Sequence, residues 1–281
     1  MKRQTIFEEY LDYHHRYVKQ YGNQTVVLME VGSFFELYGI ETKETQLGVV
    51  SEVGKLLNIV VTRKNKKIKE NNFKNPLMAG FPNHALEKFL KILLAHNYTI
   101  ILIEQVTPAP NPDRAVTHIY SPSTYIEESS NTFNQNLMTL YIEQHKQFIC
   151  IGISVIDLTT GENTVYETNS EIVRDKLAWG EAARFIKLYD PKEIAIWTKS
   201  LEVDKETCKH RLELSKQKIH IYQDEKELSI KSKLSYQNED LQKIFKPSGF
   251  LTPIEYVDLE TWSYARMAYL LLIQFAYEHD E

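Results

Sequence analysis

Apolar and polar positions alternate with two different periods along the first 106 residues, which predicts helices interleaved with strands. Aromatic residues recur at helical spacing between Thr5, a candidate N-cap, and Gly22, a candidate stop. Residues 41–57 and 83–96 are also predicted to be helical. Short apolar runs bounded by turn residues predict strands over 25–31, 34–39, 58–62, 76–81 and 98–106. This alternation indicates a layered α/β domain with a mixed sheet.

A second α/β pattern follows a stretch of prolines and polar turn residues. A helix is predicted over 171–188, after three strands of which the last two are joined by a hairpin at residues 159–162, and this order is similar to the RNase H arrangement. Residues 200–248 are rich in lysine and weakly periodic, so no definite element is predicted there. The strands of this second pattern are predicted over 137–143, 148–158, 163–168 and 193–197.

Three segments follow from these patterns. We predict a first domain over residues 1–128 and an RNase H-like α/β domain over 129–250. Residues 251–281 are predicted to hold a C-terminal helix, over 254–279, that starts a further helical region. Because its broad apolar face has no obvious cover, we expect the natural chain to continue.

Composition excludes several classes of protein. No apolar run approaches the roughly 18 residues of a membrane span, so no contact with a membrane is expected. The N-terminus is polar and amphipathic, unlike a secretory signal. Cys150 and Cys208 lack metal-ligand spacing, and we expect unpaired thiols in an intracellular, reducing compartment.

Charge is unevenly distributed along the 281 residues. Residues 1–125 carry 15 basic and 12 acidic side chains, whereas residues 126–281 carry 18 and 26. Within the first part, residues 63–74 hold six basic residues and one acidic residue and show no hydrophobic period. This run is predicted to be a solvated loop or flexible hairpin. The asymmetry indicates that only the first domain meets a polyanion.

Residues 31–38, Val-Gly-Ser-Phe-Phe-Glu-Leu-Tyr, form an unusual local arrangement. The predicted turn Gly32-Ser33 holds Phe34 two residues from the carboxylate of Glu36. A ring that projects from a turn can enter between stacked bases, and a nearby carboxylate can then test the displaced base. A buried hairpin corner is the competing explanation.

Two segments permit an enzymatic interpretation as well as a structural one. Asp157, near the end of a strand and close to Glu162 and Glu167, is the centre of a candidate metal-dependent nuclease. Two-metal catalysis needs several convergent carboxylates, and a turn explains the Asp157 segment equally well. Residues 48–56 resemble a P-loop, but five residues separate the glycines and Leu56 stands where Ser or Thr is required. We therefore expect no catalytic residues, metal or cofactor in this chain.

Four motifs resemble the MutS family of DNA mismatch repair proteins. Residues 31–39 are similar to that family's Gly-Asp-Phe-Tyr-Glu turn, and residues 78–85 to its Met-Ala-Gly-x-Pro-x-His-Ala. Residues 103–106 and 120–124 are similar to its Cys/Val-Glu-Gln-Ile and Val-Thr-Pro-Gly-Thr. Residues 156–162 show a looser similarity to the family's connector domain. Ser33, Phe35 and Ser123 depart from the family pattern, where Asp, Tyr and Gly stand.

The resemblance implies roles for particular residues. Phe34 would be the wedge that stacks on a base, Glu36 the carboxylate that hydrogen-bonds the displaced base, and Val31 an apolar contact. The resemblance also places Arg114 and His118 towards DNA. The basic run adds candidate phosphate contacts, which position a protein on DNA without reading its sequence: Arg63, Lys64, Lys66 and Lys67.

For the whole protein the resemblance implies mismatched double-stranded DNA as the partner, a homodimer, and hydrolysis of ATP with Mg²⁺ outside this chain. Rich in Lys, Asn and Ile, the composition is typical of an AT-rich genome. A giant-virus or coral-mitochondrial branch is the corresponding hypothesis, with a viral factory or a mitochondrion as the location. A protein-interaction scaffold, with the acidic second domain as the docking part, is a further alternative.

Overall fold

The computed structural model describes residues 5–108, 110, 112–125, 135–171, 176–199, 203–214, 216–247 and 249–279. It divides into two compact units, residues 1–122 with 279–281 and residues 123–278. The predicted boundary at residue 128 falls within 126–134, outside the described residues, and stays a prediction. Helices and sheets occur in both units, which confirms the predicted α/β class. No helix in the described ranges has both the length and the apolar character needed to cross a bilayer.

The first unit is built on a mixed sheet. In the described residues its order is β4-β5-β2-β1-β6-β7, with β3 paired to the C-terminal end of β2. The central β1 runs antiparallel to β2 and parallel to β6. The strands are β1 Thr25–Val31, β2 Phe34–Glu41, β3 Gln46–Leu47, β4 Thr62–Arg63, β5 Leu77–Pro82, β6 Thr99–Gln105 and β7 Arg114–Tyr120.

Helices cover both faces of this sheet. Helix α1, Ile6–Tyr21, begins with a capping box between Thr5 and Glu8 and ends at Gly22, as its sequence predicts. Its Tyr10 ring meets Tyr38 of β2 edge-on, with centroids 5.3 Å apart. On the opposite face, Phe89 packs 4.4 Å from Phe81 of β5. The helices of that face are α2 Val50–Leu57 and α3 Leu86–Ala95, the second preceded by a 3-10 turn over Asn83–Ala85.

The predicted helix over 41–57 is wrong in its first half. The chain turns at Thr42, whose hydroxyl accepts hydrogen bonds from the amides of Glu44 and Thr45, and then forms β3. A threonine that satisfies backbone groups locally competes with helix formation. Gly48 follows with φ +78°, and a Cβ there would lie 2.7 Å from the Tyr38 carbonyl oxygen, so the helix starts only at Val50.

The second unit contains a five-stranded sheet in the order β10-β9-β8-β11-β12. The first three strands are antiparallel neighbours, whereas β8, β11 and β12 run parallel. This arrangement agrees with the predicted RNase H-like domain. The strands are β8 Asn136–His145, β9 Phe148–Asp157, β10 Asn163–Glu171, β11 Glu193–Thr198 and β12 Lys218–Tyr222.

The helices of the second unit differ from prediction in two places. The lysine-rich residues 200–248 contain regular structure, and the helix predicted over 254–279 is broken at residues 257–262, where Asp258 has φ +58°. That residues 251–281 start a further helical region stays a prediction. The helices are α4 Lys176–Tyr189, α5 Lys205–Arg211, α6 Glu225–Lys231, α7 Leu234–Ile244, α8 Pro253–Tyr256 and α9 Ser263–Tyr277.

The last of these, α9, lies directly on the second sheet. Its first turn meets Gly152 of β9 so closely that a Cβ on Gly152 would lie 1.9 Å from the Tyr264 carbonyl oxygen. Glu167 of β10 accepts hydrogen bonds from the amides of Tyr264 and Ala265, at 2.9 and 3.1 Å. A carboxylate at a helix N-terminus satisfies free amides and complements the helix dipole. Helix and sheet are therefore joined by backbone contact as well as by side chains.

Candidate nucleic-acid interface

The turn between β1 and β2 is a two-residue hairpin. Val31 pairs with Phe34 across it, and Gly32 adopts φ +63°, a conformation that favours glycine. Because successive side chains of a strand point to opposite faces, the rings of Phe34 and Phe35 lie on opposite faces of the sheet. Phe34 is 47% exposed, whereas Phe35 is 2% exposed and packs against Phe81. The ring of Phe34 therefore lies at the tip of a two-residue hairpin and not inside the core.

Glu36 lies on the same face of β2 as Phe34 and is half-buried. Its Oε2 accepts a hydrogen bond from the Tyr38 hydroxyl. Burial, and after it the hydrogen bond to Glu36, raise the pKa of the Tyr38 phenol, so that hydroxyl stays a donor. The wedge and carboxylate predicted from sequence are thus brought together on one strand face.

A partly buried hydrogen-bond network supports the base of the hairpin. The Glu30 carboxylate accepts hydrogen bonds from Asn83 Nδ2 and from the Gln105 amide, both at 2.8 Å. The Asn83 amide in turn donates to the Ser33 carbonyl at 3.0 Å. Glu30 therefore ties β1 to the end of β5 and to β6, beside the half-buried Val31. The sequence interpretation missed this role, although a lone carboxylate after the apolar run 26–29 was a usable signal.

The Arg114 side chain makes contacts within the first unit. Its side chain is only 8% exposed, and its guanidinium lies 3.4 Å from Glu9 of α1. Its Nε donates to the Glu30 carbonyl at 2.9 Å. In this conformation Arg114 supports the hairpin brace, and contact with DNA would require it to leave Glu9. Its predicted contact with DNA stays a prediction.

His118 occupies an open position further along β7, the strand that pairs with β6. Its ring stacks on Tyr120 with centroids 5.4 Å apart and an interplanar angle of 4°. Its Nδ1 lies 3.8 Å from Glu104 Oε2, and the side chain is exposed. The imidazole is therefore accessible to a ligand, and it lies beside the Glu104 carboxylate.

The basic run, residues 63–74, forms a loop that is held together by internal hydrogen bonds. Asn75 is buried at its base, where its Oδ1 accepts from the Asn65 amide at 2.7 Å. Its Nδ2 lies 3.0–3.2 Å from three loop carbonyls, those of Asn65, Ile68 and Glu70. Lys64, Lys66 and Lys67 are exposed on this loop, whereas Arg63 is half-buried in β4. Lys64 and Arg114 line a common groove of about 810 Å³ beside α1.

Replacing Asn75 with aspartate tests whether this hub orders the loop. The change keeps the shape but replaces the amide donor with an acceptor that faces carbonyl oxygens, a loss of about 1–3 kcal/mol. We expect faster amide hydrogen exchange over residues 65–74, measured by mass spectrometry, with little change over 99–105. Asn72→Asp is the control, because the Asn72 side chain accepts through Oδ1, which aspartate retains. Equal exchange in both variants would contradict the role of Asn75.

The candidate nuclease site does not gather metal ligands. Asp157 Oδ1 accepts from the amide and hydroxyl of Thr159, at 2.9 and 2.7 Å, and these bonds lower the pKa of Asp157. A groove of about 350 Å³ beside it is also lined by Glu162. Among the described residues, no group of three or more His, Cys, Asp or Glu side chains could hold a metal ion. The contacts of Asp157 are those of a turn residue.

The chain shares its architecture only distantly with some solved structures. Fowlpox virus resolvase, in complex with Holliday junction DNA, has a TM-score of 0.32 and 10% identity, covering 50% of this chain and 97% of that one. T. thermophilus RuvC with a Holliday junction substrate has a TM-score of 0.27 and 8% identity, covering 50% and 93%. At these scores the likeness carries no functional information.

Sequence comparison is more specific. A protein of Acanthamoeba polyphaga mimivirus, named a DNA mismatch repair protein mutS homologue, is 28% identical over 99% of this chain and 27% of its own length. The MutS proteins of Thermodesulfovibrio yellowstonii and Thermotoga petrophila are 28% and 29% identical over 64% and 61% of this chain. The chain spans about a quarter of the mimivirus relative and about a fifth of the bacterial relatives.

The family model described as MutS domain I matches residues 11–129. This range includes the hairpin with Phe34 and Glu36, its Glu30 brace, the basic loop and His118. The relatives extend the match into the second unit. The first unit is therefore similar to MutS domain I, and the chain as a whole is similar to part of the MutS proteins.

Proposed function

We propose that this chain recognises mismatched double-stranded DNA by inserting the Phe34 ring into the base stack, while Glu36 accepts a hydrogen bond from the displaced base. The observation that carries the proposal is the exposed ring at the tip of a two-residue hairpin, with the carboxylate on the same strand face. The similar proteins from mimivirus and Thermodesulfovibrio yellowstonii are named as DNA mismatch repair proteins. Val31, paired with Phe34, adds a secondary apolar contact.

Selectivity for mismatched over matched duplex follows from the free energy needed to unstack and kink the DNA. Separating one base step costs a few kcal/mol, and least where pairing is already defective. A mismatched site is also easier to kink, so the wedge senses deformability as well as base identity. Glu36 would disfavour binding to intact duplex. Its negative charge would approach the phosphates, while no displaced base is present to donate a hydrogen bond to the carboxylate. This repulsion adds discrimination against matched DNA.

The basic loop supplies the contacts that do not depend on sequence. Lys64, Lys66 and Lys67 are exposed on the ordered loop and are suited to phosphate oxygens. His118 is a further accessible candidate on β7. Arg63 and Arg114 are more enclosed, and we assign them weaker roles as direct contacts.

The function is tested by binding to two duplexes of equal length that differ only by one mispair. Fluorescence anisotropy at fixed salt, with Mg²⁺ present, is expected to show tighter binding to the mispaired duplex and no cleavage on a denaturing gel. Equal affinities would contradict mismatch recognition. Cleavage that is lost in Asp157→Asn would instead favour the nuclease, and capture of a protein without DNA would favour the scaffold.

The double variant Lys66→Ala with Lys67→Ala tests the phosphate contacts. We expect weaker binding to matched and mispaired duplex by the same factor, with the slope of log affinity against log salt flattened by about 1–2. Lys88→Ala with Lys91→Ala is the control, because it removes the same charge from α3 on the opposite face. A selective loss on the mispaired duplex would contradict simple phosphate contact.

For the whole protein we propose a homodimer that hydrolyses ATP with Mg²⁺ through segments outside this chain. The lengths of the relatives support this proposal, since the chain covers only 18–27% of them. The mimivirus relative supports a viral setting, such as a viral factory, over a mitochondrion. Light scattering and ATPase assays on the longest natural form of the protein test the assembly and the hydrolysis.

A further inference from the structure

Glu36 is held by its neighbours and does not extend freely from the strand. Tyr38 lies two residues further along β2, on the same face, and its hydroxyl donates to Glu36 Oε2. No hydrogen bond to Glu36 Oε1 occurs among the described contacts. A carboxylate has about four acceptor positions, so one bond at Oε2 leaves capacity for another donor.

Tyr38 is itself packed in the core of the first unit. Its side chain is 2% exposed, and the rings of Tyr10 and Phe7 from α1 meet it edge-on at 5.3 and 6.1 Å. Phe7 also contacts Phe73 of the basic loop, with centroids 6.2 Å apart. The position of the Tyr38 hydroxyl, which donates to Glu36, is therefore set by the packing of its ring in the core.

Gly80 provides the space in which Glu36 lies. It pairs with Glu36 across β5 and β2, and a Cβ on Gly80 would lie 3.2 Å from Glu36 Cγ and 2.9 Å from the Phe35 carbonyl oxygen. A larger residue at position 80 would push against the stem of Glu36. Gly80 and Tyr38 together restrict both ends of the Glu36 side chain.

We propose that Tyr38 is a positioning residue for mismatch recognition: its hydroxyl holds Glu36 Oε2 so that Oε1 stays free for the displaced base. The inference rests on the proposed function, because it assigns the geometry of the same carboxylate. Glutamate has more rotamer freedom to lose than most side chains, and a fixed donor removes that loss before DNA binds. Tyr38 is thus expected to strengthen the contact with the base and not to compete with it.

Tyr38→Phe removes only the hydroxyl and tests this inference. We expect the ratio of affinities for mispaired over matched duplex to fall about 3- to 10-fold, which lies within the net contribution of one typical hydrogen bond. Affinity for matched duplex and its salt dependence should not change. In a Glu36→Ala background, the same Tyr38→Phe change should have no further effect on the ratio.

Tyr98→Phe is the matched control. Tyr98 is also buried in the first unit, and its hydroxyl donates to a carboxylate, that of Glu52. Its loss should affect stability as Tyr38→Phe does but leave the affinity ratio unchanged. A merely structural role for Tyr38 would make the two variants alike.

Several results would overturn the inference. An unchanged or increased ratio in Tyr38→Phe would show that the hydroxyl is neutral or competes with the base. An equal fall in the Glu36→Ala background would show that Tyr38 acts through another group. If the parent protein prefers mispaired duplex and Phe34→Ala removes that preference, such results overturn only the role of Tyr38. A parent protein without any preference overturns the proposed function and this inference together.

Discussion

Phe34→Ala is expected to abolish the preference for mispaired over matched duplex while leaving the salt-sensitive background binding. Stacking of one base on an aromatic side chain contributes about 1–3 kcal/mol, so affinity for the mispaired duplex should fall roughly 5- to 150-fold. Affinity for matched duplex should stay nearly constant, because we propose that the basic loop supplies that binding. The fold should tolerate the change, since the ring is nearly half exposed.

The second unit offers a close control for this variant. Phe148 also follows a two-residue hairpin turn, pairs with His145 across it and is 45% exposed. Phe148→Ala therefore removes an equivalent ring from an equivalent hairpin. Competition binding with both duplexes should separate the two variants. A Phe34→Ala protein that prefers mispaired duplex as strongly as the parent would rule out the wedge.

Gly152→Ala should strongly destabilise the second unit. The new Cβ would overlap the Tyr264 carbonyl, which is backbone and cannot rotate away, so the start of α9 must move. That shift would also break the two hydrogen bonds from the α9 amides to Glu167. Overpacking alone costs about 1–3 kcal/mol, and two lost bonds to a charged group bring the expected loss to about 3 kcal/mol or more.

Tryptophan fluorescence during urea unfolding measures this effect selectively. The three tryptophans, Trp179, Trp197 and Trp262, all lie in the second unit. Gly180→Ala is the control, because Gly180 is in helix α4 with open space around it. There the same substitution should be neutral or stabilising by about 0.5–1 kcal/mol. A midpoint for Gly152→Ala close to that of the parent would contradict the described docking of α9.

Much of the hairpin could be predicted because its signals are local. The cap of α1, the strands on either side of Gly32-Ser33 and the alternation that separates Phe34 from Phe35 depend on neighbours in sequence. The same reasoning found β8 and β9 and the turn at Asp157. These elements agree with the structure to within a few residues.

The remaining features depend on partners distant in sequence. Arg114 looks like a free basic residue in the sequence, but folding brings it against Glu9 and Glu30, 105 and 84 residues away. Its strand β7 was missed because no apolar run marks it. Asn75 becomes the centre of the basic loop only after the chain returns to Asn65 and Ile68. Tyr38 and Gly80 likewise acquire their roles through the pairing of β2 with the core and with β5.

The hairpin between β1 and β2 has two residues in its turn and a hydrogen-bonded brace at its base, which leave it little room to change its length. Under the proposed function, the ring then enters every duplex to the same depth. The whole structural adjustment falls to the nucleic acid. Such a hairpin probes DNA at a fixed depth, so whether a duplex binds depends on how easily that duplex deforms. Insertion or deletion of one residue in the turn would change the depth and therefore which mismatched sites are recognised.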